Sequence, residues 1–366
     1  DQPQGRMPEG ERDVLRLSGR EWLAVLTATM GLLALVPALG IRNKAVFLEP
    51  DYRMPYSLSH RYRLYQQFTT LASRQYPALL LGDSVIWGQC APRDRTLSHY
   101  LNEEIGSERV ANAGLDAMHP IALEGLLEYH APAIHRKLVF LQFNPFWLML
   151  QGEPSDPGEE ALRNRPNLVP RLAAPRLAAA ARVLEASWTR ISRMRPWSSW
   201  IEGTLDSQLD FLAWSLSHPY ESPLGVLRSP LPPPEDDYAP RLRPWNWGPG
   251  NRSIDGCWPD PVQDRQWQAF ERILDRLESR GNRVLVIVGP INEHMLTAAG
   301  RRSYRRFTGE VASRLRSRGA DYYQPPVLTS ESYADICHPL AQGYREFARL
   351  LWEHEKDWLA KLPASR

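Results

Sequence analysis

The chain has 366 residues, enough to bury a sizeable core in one large domain or two, and its formal net charge of +2 is close to balance. Arginines are scattered among acids with no basic block, so nucleic acid is not an expected partner. The three cysteines, Cys90, Cys257 and Cys337, show neither a Cys-x-x-Cys pair nor zinc-ligand spacing, so no metal is implied and at most one disulfide can form.

Residues 1–21 read as a cytoplasmic N-terminal segment and 22–40 as a transmembrane anchor. From Trp22 to Gly40 the chain carries 19 residues without a charge, long enough to cross a hydrocarbon core of about 30 Å as a helix. Arg12, Arg16 and Arg20 precede it, while Arg42 and Lys44 follow. That slight excess places the N-terminus in the cytoplasm and the bulk of the chain outside it, periplasmic or at the cell surface. A cleavable signal peptide is the rival reading, with Ala38-Leu39-Gly40 as a small-x-small site.

Residues 41–75 form a polar, aromatic-rich connector. A regular alternation follows. Residues 76–81 read as a strand, 96–105 as a helix, 109–113 as a short strand, 120–135 as a helix and 137–143 as a continuously apolar strand. After a break come a helix at 262–279, a second apolar strand at 283–288, a helix at 303–318, a short strand at 321–323 and a closing helix at 339–352. Strands that are apolar throughout, separated by helices, predict an α/β fold: a three-layer, doubly wound parallel sheet covered on both faces. Its two parts are 76–149 and 261–366. Residues 150–260 break the rhythm, being rich in Pro, Arg and Trp, and read as an insertion or cap. Trp245 and Trp247, near its end, either pack or stack on sugar rings.

In sheets of this type ligands sit beyond the carboxyl ends of the strands. Ser84, in Leu81-Gly82-Asp83-Ser84, follows the first strand. Gly114, in Asn112-Ala113-Gly114, follows the second and Asn144 the third. Asn292 and His294 follow the fourth, and Asp335 and His338, in Asp335-Ile336-Cys337-His338, the fifth. A serine hydroxyl needs a base to remove its proton, and a carboxylate holds an imidazole in the right tautomer. Ser84 is therefore the candidate nucleophile, His338 the base and Asp335 its orienting acid, with Asp116 an alternative acid and His119 a rival base. The oxyanion of an attacked ester needs preset donors. The backbone N–H groups of Ser84 and Gly114 and the side-chain amide of Asn144 are the expected set. Asn292, His294, His119, Trp87 and Trp147 are candidate substrate contacts; core packing or a solvated loop is the plainer reading of each. Asp83 is read as shaping the turn, and Cys337 as a small buried filler rather than a second nucleophile.

These residues resemble the blocks of the SGNH (GDSL-type) hydrolase superfamily: Gly82-Asp83-Ser84, then Gly114, then Asp335-x-x-His338. The third block departs, since Phe143-Asn144-Pro145 stands where the family often has Gly-x-Asn-Asp. The resemblance covers roughly 76–148 and 280–355 and implies a flavodoxin-like strand order and a serine ester intermediate with no cofactor. An anchored, extracytoplasmic domain of this kind is similar to the DltD- and AlgJ-like partners of membrane-bound O-acyltransferases. That narrower likeness implies acyl transfer onto a cell-envelope glycan or polymer, with a multi-span membrane O-acyltransferase as partner. The alternative is an idle SGNH scaffold that holds polymer or recruits such an enzyme.

Overall fold

The computed structural model describes residues 18–29, 48, 51–55, 62–149, 243–247 and 253–359. Two compact units divide the chain, residues 1–45 and 46–366. Most of the expected cap, and the expected anchor from residue 30 onward, lie outside the described residues.

In the first unit residues 19–29 form a helix. Ser18 and Glu21 make a reciprocal cap: the Ser18 backbone and hydroxyl both donate to Glu21 Oε2 at 2.7 Å, and the Glu21 N–H returns to Ser18 Oγ at 3.4 Å. This box sets the helix start just ahead of Trp22. Trp22, Leu23, Val25 and Leu26 are all exposed. No helix among the described residues is long and apolar enough to cross a membrane.

The second unit is an α/β fold around five parallel strands: β1 (Ala78–Leu81), β2 (Val110–Asn112), β3 (Leu138–Phe143), β4 (Arg283–Val288) and β5 (Asp321–Tyr323). Their order is β2-β1-β3-β4-β5, the flavodoxin-like order implied by the sequence resemblance. Register follows from the apolar runs: Leu80 pairs with Asn112 on one side and Phe140 on the other, and Phe143 pairs with Val288. Every residue of β1 and β3 is buried, because helices cover the sheet.

Among its described residues the helices are α1 (Tyr62–Gln75), α2 (Ser84–Trp87), α3 (Leu97–Ile105), α4 (Pro120–Tyr129), α5 (Arg265–Ser279), α6 (Ala298–Arg318) and α7 (Ala341–Leu359). Helix α3 packs on α7, and α4 on α5. Phe143 anchors an aromatic cluster with Trp267 and Phe270, ring centroids 5.2 and 4.8 Å away.

Several elements differ from expectation, and the closing helix runs on to Leu359 rather than ending at 352. Helix α4 stops at Tyr129 rather than 135, since Pro132 disfavours helix at the residue before it. Helix α6 begins at Ala298 rather than 303, because the Thr297 hydroxyl caps it by accepting the Gly300 N–H at 3.0 Å. Helix α1 lies inside the supposed connector. Its Leu64, Tyr65, Phe68 and Ala72 form one buried stripe at helical spacing.

Candidate active site

Ser84 opens α2 three residues past the end of β1, and that helix is buried throughout. Asp83 caps it by accepting the Val85 N–H at 2.9 Å, and Gly88 ends it at φ 90°, a left-handed conformation suited to glycine. Side chains from distant elements clamp the turn. Asn112 Nδ2 donates to the Ile86 carbonyl at 2.8 Å, and the Tyr344 hydroxyl of α7 donates to the Val85 carbonyl at 2.7 Å. Gly82 and Gly114 permit this packing: a Cβ on the first would lie 2.5 Å from Gln142 Oε1, and on the second 2.5 Å from the Trp87 backbone nitrogen.

Ser84 Oγ lies 2.8 Å from His338 Nε2, and His338 Nδ1 lies 2.8 Å from each oxygen of Asp335. The partners assign the tautomer: Nδ1–H donates to the carboxylate, leaving Nε2 to accept the serine hydroxyl. Asp335 Oδ1 also accepts the backbone N–H groups of His338 at 2.9 Å and Cys337 at 3.1 Å, so one carboxylate closes the loop and aims the ring. Burial disfavours a charged imidazole, but the Cys337 sulfur and the Asp335 carboxylate outweigh it, and His338 titrates well above its ordinary value. Burial pushes the Cys337 thiol above its ordinary value. For Asp335, burial is overcome by its hydrogen bond to His338, and the carboxyl falls below its ordinary value.

The three expected oxyanion donors are not equally placed. The Ser84 N–H is the first of a helix and has no intrahelical acceptor. Asn144 Nδ2 spends one hydrogen on Asp83 Oδ2 at 2.7 Å and keeps a second. The Gly114 N–H, by contrast, donates to Asn112 Oδ1 at 3.0 Å. Asn112 captures it as asparagines do two residues on, and the glycine is required here by its close approach to α2.

The remaining candidates separate. Trp87 is fully buried, its Nε1–H donating to the Met54 carbonyl at 2.7 Å with the Arg53 guanidinium over its ring at 4.1 Å; it is core, not pocket wall. His119 is buried and caps α4 through Nδ1, which accepts the Ala122 N–H at 3.4 Å; its ring packs edge-on to Trp147, and the hydrogen bond to Ser84 is made by His338 instead. Asn292 is also fully buried; its Nδ2 donates to the Asp335 carbonyl at 3.1 Å and its backbone N–H to the Ile336 carbonyl at 2.7 Å. It supports the Asp335–His338 loop instead of facing substrate. His294 Nε2 lies 3.0 Å from the Leu328 carbonyl, so that ring nitrogen is engaged with the loop after β5. Trp147 stays at the rim, half-buried, its Nε1–H donating to Asp83 Oδ2 at 2.8 Å.

Two residues carry more than the sequence assigned them. The Asp83 carboxylate collects Val85, Asn144 and Trp147, tying the nucleophile turn to the amide after β3. Gln142, a polar residue inside the apolar run of β3, accepts the Asp83 N–H at 3.2 Å and donates to the Gly289 carbonyl at 3.3 Å. That lone polar side chain in LVFLQF was the available signal.

No protein-family model and no curated protein sequence matches this chain. Among solved structures, a carbohydrate acetylesterase family member from Sinorhizobium meliloti is similar at 12% identity and a TM-score of 0.33, covering 78% of this chain and 99% of its own. The native aryl esterase of M. smegmatis is similar at 12% identity and a TM-score of 0.32, covering 77% and 99%. Likeness at that level leaves the activity to be argued from the site itself.

Proposed function

We propose that the protein is a serine esterase or O-acyltransferase of SGNH type, acting on acyl esters of a cell-envelope glycan or polymer. The continuous hydrogen-bonded line from Ser84 through His338 to Asp335 carries this reading. Ser84 Oγ attacks the ester carbonyl as its proton passes to His338 Nε2. The Ser84 N–H and the second Asn144 hydrogen face the developing oxyanion. The imidazolium then protonates the departing alkoxide, leaving the acyl group on Ser84. Water or a sugar hydroxyl, deprotonated by the same ring, takes the acyl group and regenerates the serine.

Placement at the membrane belongs to the same proposal. The exposed apolar helix 19–29 leads into the rest of the uncharged 22–40 stretch, which suits a single-pass anchor with the catalytic unit outside the cytoplasm. A multi-span O-acyltransferase is the proposed partner. Fractionation that recovers the full chain in the aqueous phase would remove anchor and partner together, while leaving the chemistry standing.

One observation favours the scaffold alternative: the Gly114 N–H is already engaged, so the oxyanion site is one donor short. The deciding experiment is release of p-nitrophenol from its acetate ester. Turnover by the wild type and its loss in Ser84→Ala supports the enzyme. Polymer binding without turnover in the wild type supports the scaffold.

A further inference from the structure

We propose that Cys90, Asp335 and His338 form an inhibitory zinc site that captures the catalytic base. The sequence carries no metal-ligand spacing, because the three donors come from two distant stretches of chain. In space, one ligand atom from each lies within 4.8 Å of the other two, with Cys90 buried and the other two at the rim. Cys90 sits three residues past the end of α2, so the nucleophile turn delivers the sulfur while the loop after β5 delivers imidazole and carboxylate.

The donor set selects the ion. A thiolate, an imidazole and a carboxylate suit Zn²⁺ and disfavour Mg²⁺ and Ca²⁺, which prefer oxygen alone. Tetrahedral zinc with bonds of about 2.0–2.3 Å holds its ligands about 3.3–3.8 Å apart, so side-chain rotations of about an ångström close the cluster. Three protein ligands leave a fourth position open, and Ser84 Oγ lies 2.8 Å from His338 Nε2. Coordination requires the Cys90 thiol to give its proton to solvent as the sulfur binds the ion. With a ring nitrogen on zinc, His338 loses either its hold on Asp335 or its access to Ser84, and the hydroxyl has no base. Cys337 also lies near the ring, its Sγ 3.8 and 3.9 Å from the two nitrogens, which makes it the natural control.

The inhibition rests on the esterase reading above; the metal binding does not, and the test separates them. Metal-free protein is titrated with Co²⁺, and a thiolate-to-metal charge-transfer band is sought in wild type, Ser84→Ala, Cys337→Ala, Cys90→Ala and Cys90→Ser. The band is expected in the first three and absent from both Cys90 variants. In parallel, Zn²⁺ is titrated against p-nitrophenyl acetate turnover, with reversal by EDTA. Wild type is expected to be inhibited reversibly, and Cys90→Ser to need about tenfold more zinc or above, since loss of even an outer partner costs about 10–100-fold in metal affinity. A band that survives in both Cys90 variants, no band in wild type, or equal zinc sensitivity in wild type and Cys90→Ser overturns the site. No turnover in metal-free wild type, with the band present, overturns the esterase reading alone.

Discussion

The two halves of the candidate site are built differently. The nucleophile turn is clamped from outside: Asn112 reaches it from β2, Gln142 from β3, Asn144 from the loop beyond β3 and Tyr344 from α7. The base loop is closed mainly on itself. Asp335 accepts its own loop's N–H groups, and Ala334 donates to the His338 carbonyl at 2.9 Å. Its tie to the sheet is the segment after β4, where Asn292 donates twice to it, and the Trp245 N–H donates to the Tyr333 carbonyl just before it. Side-chain exposure follows suit, with His338 at 14% and Asp335 at 24%, whereas Ser84 and Asp83 are buried. The hydroxyl is thus fixed by the fold, and the base is fixed by a local turn docked against it.

Substitutions at the reacting groups break that contrast most sharply. His338→Ala removes the base outright, and kcat should fall about 10⁶-fold. Asp335→Asn keeps the shape but favours the wrong tautomer, and should cost about 10⁴-fold. It also has a pH signature. Activity needs the neutral imidazole, so wild-type kcat/KM should rise with pH through a limb above about 6.5, the ordinary histidine value, because the folded-state value is raised. Asp335→Asn should move that limb down. The stability linkage has the opposite sense: the raised His338 stabilises fully below about pH 6.5, and that contribution is lost as pH rises through the folded value. An acidic limb that stays in place in Asp335→Asn would show that the carboxylate does not hold the imidazolium.

Asp83→Asn tests the fixed half. The new amide presents hydrogens to Asn144 Nδ2 and Trp147 Nε1, two donors that now share one carboxylate oxygen. The Asn144 amide should swing out, and kcat should fall about 10²–10³-fold, the usual cost of one oxyanion donor. Because His338 is untouched, the acidic limb should not move and KM should change little. A shifted limb would place Asp83 in the base's electrostatics instead.

Legibility in the sequence follows the same divide. The apolar runs of β1, β3 and β4 announced a covered parallel sheet, and the polar residues at their ends marked the rim where the site lies. Ser84 and Asp335-x-x-His338 were readable because each chemistry demands its residue type. What stayed hidden was pairing. Nothing local says that Asn112 will take the Gly114 N–H, that Asn292 will serve a loop over forty residues away, or that Trp87 will turn inward to Met54. Cys90 was silent for the same reason, its neighbours being close only after folding. Helix α1 was missed through composition: its arginines and glutamines masked a buried stripe that periodicity alone would have found.

The smallest effects separate the two anchors. Asn292→Ala removes the side-chain bond to the Asp335 carbonyl but leaves the backbone bond to Ile336. The base loop can then drift, and since a shift of about 1 Å can cost about 10²-fold, kcat should drop on that order while KM holds. Tyr344→Phe deletes the hydroxyl on the Val85 carbonyl, a fully buried contact, and should lower unfolding stability by about 1–3 kcal/mol. Its activity should change far less than that of Asn292→Ala, because Asn112, Asp83 and the β1 connection still hold α2 from other directions. Paired denaturation curves and steady-state kinetics on these two variants read the difference directly. If Tyr344→Phe lost more kcat than Asn292→Ala, the nucleophile turn would be the weakly held half, and the contrast between the two halves would reverse.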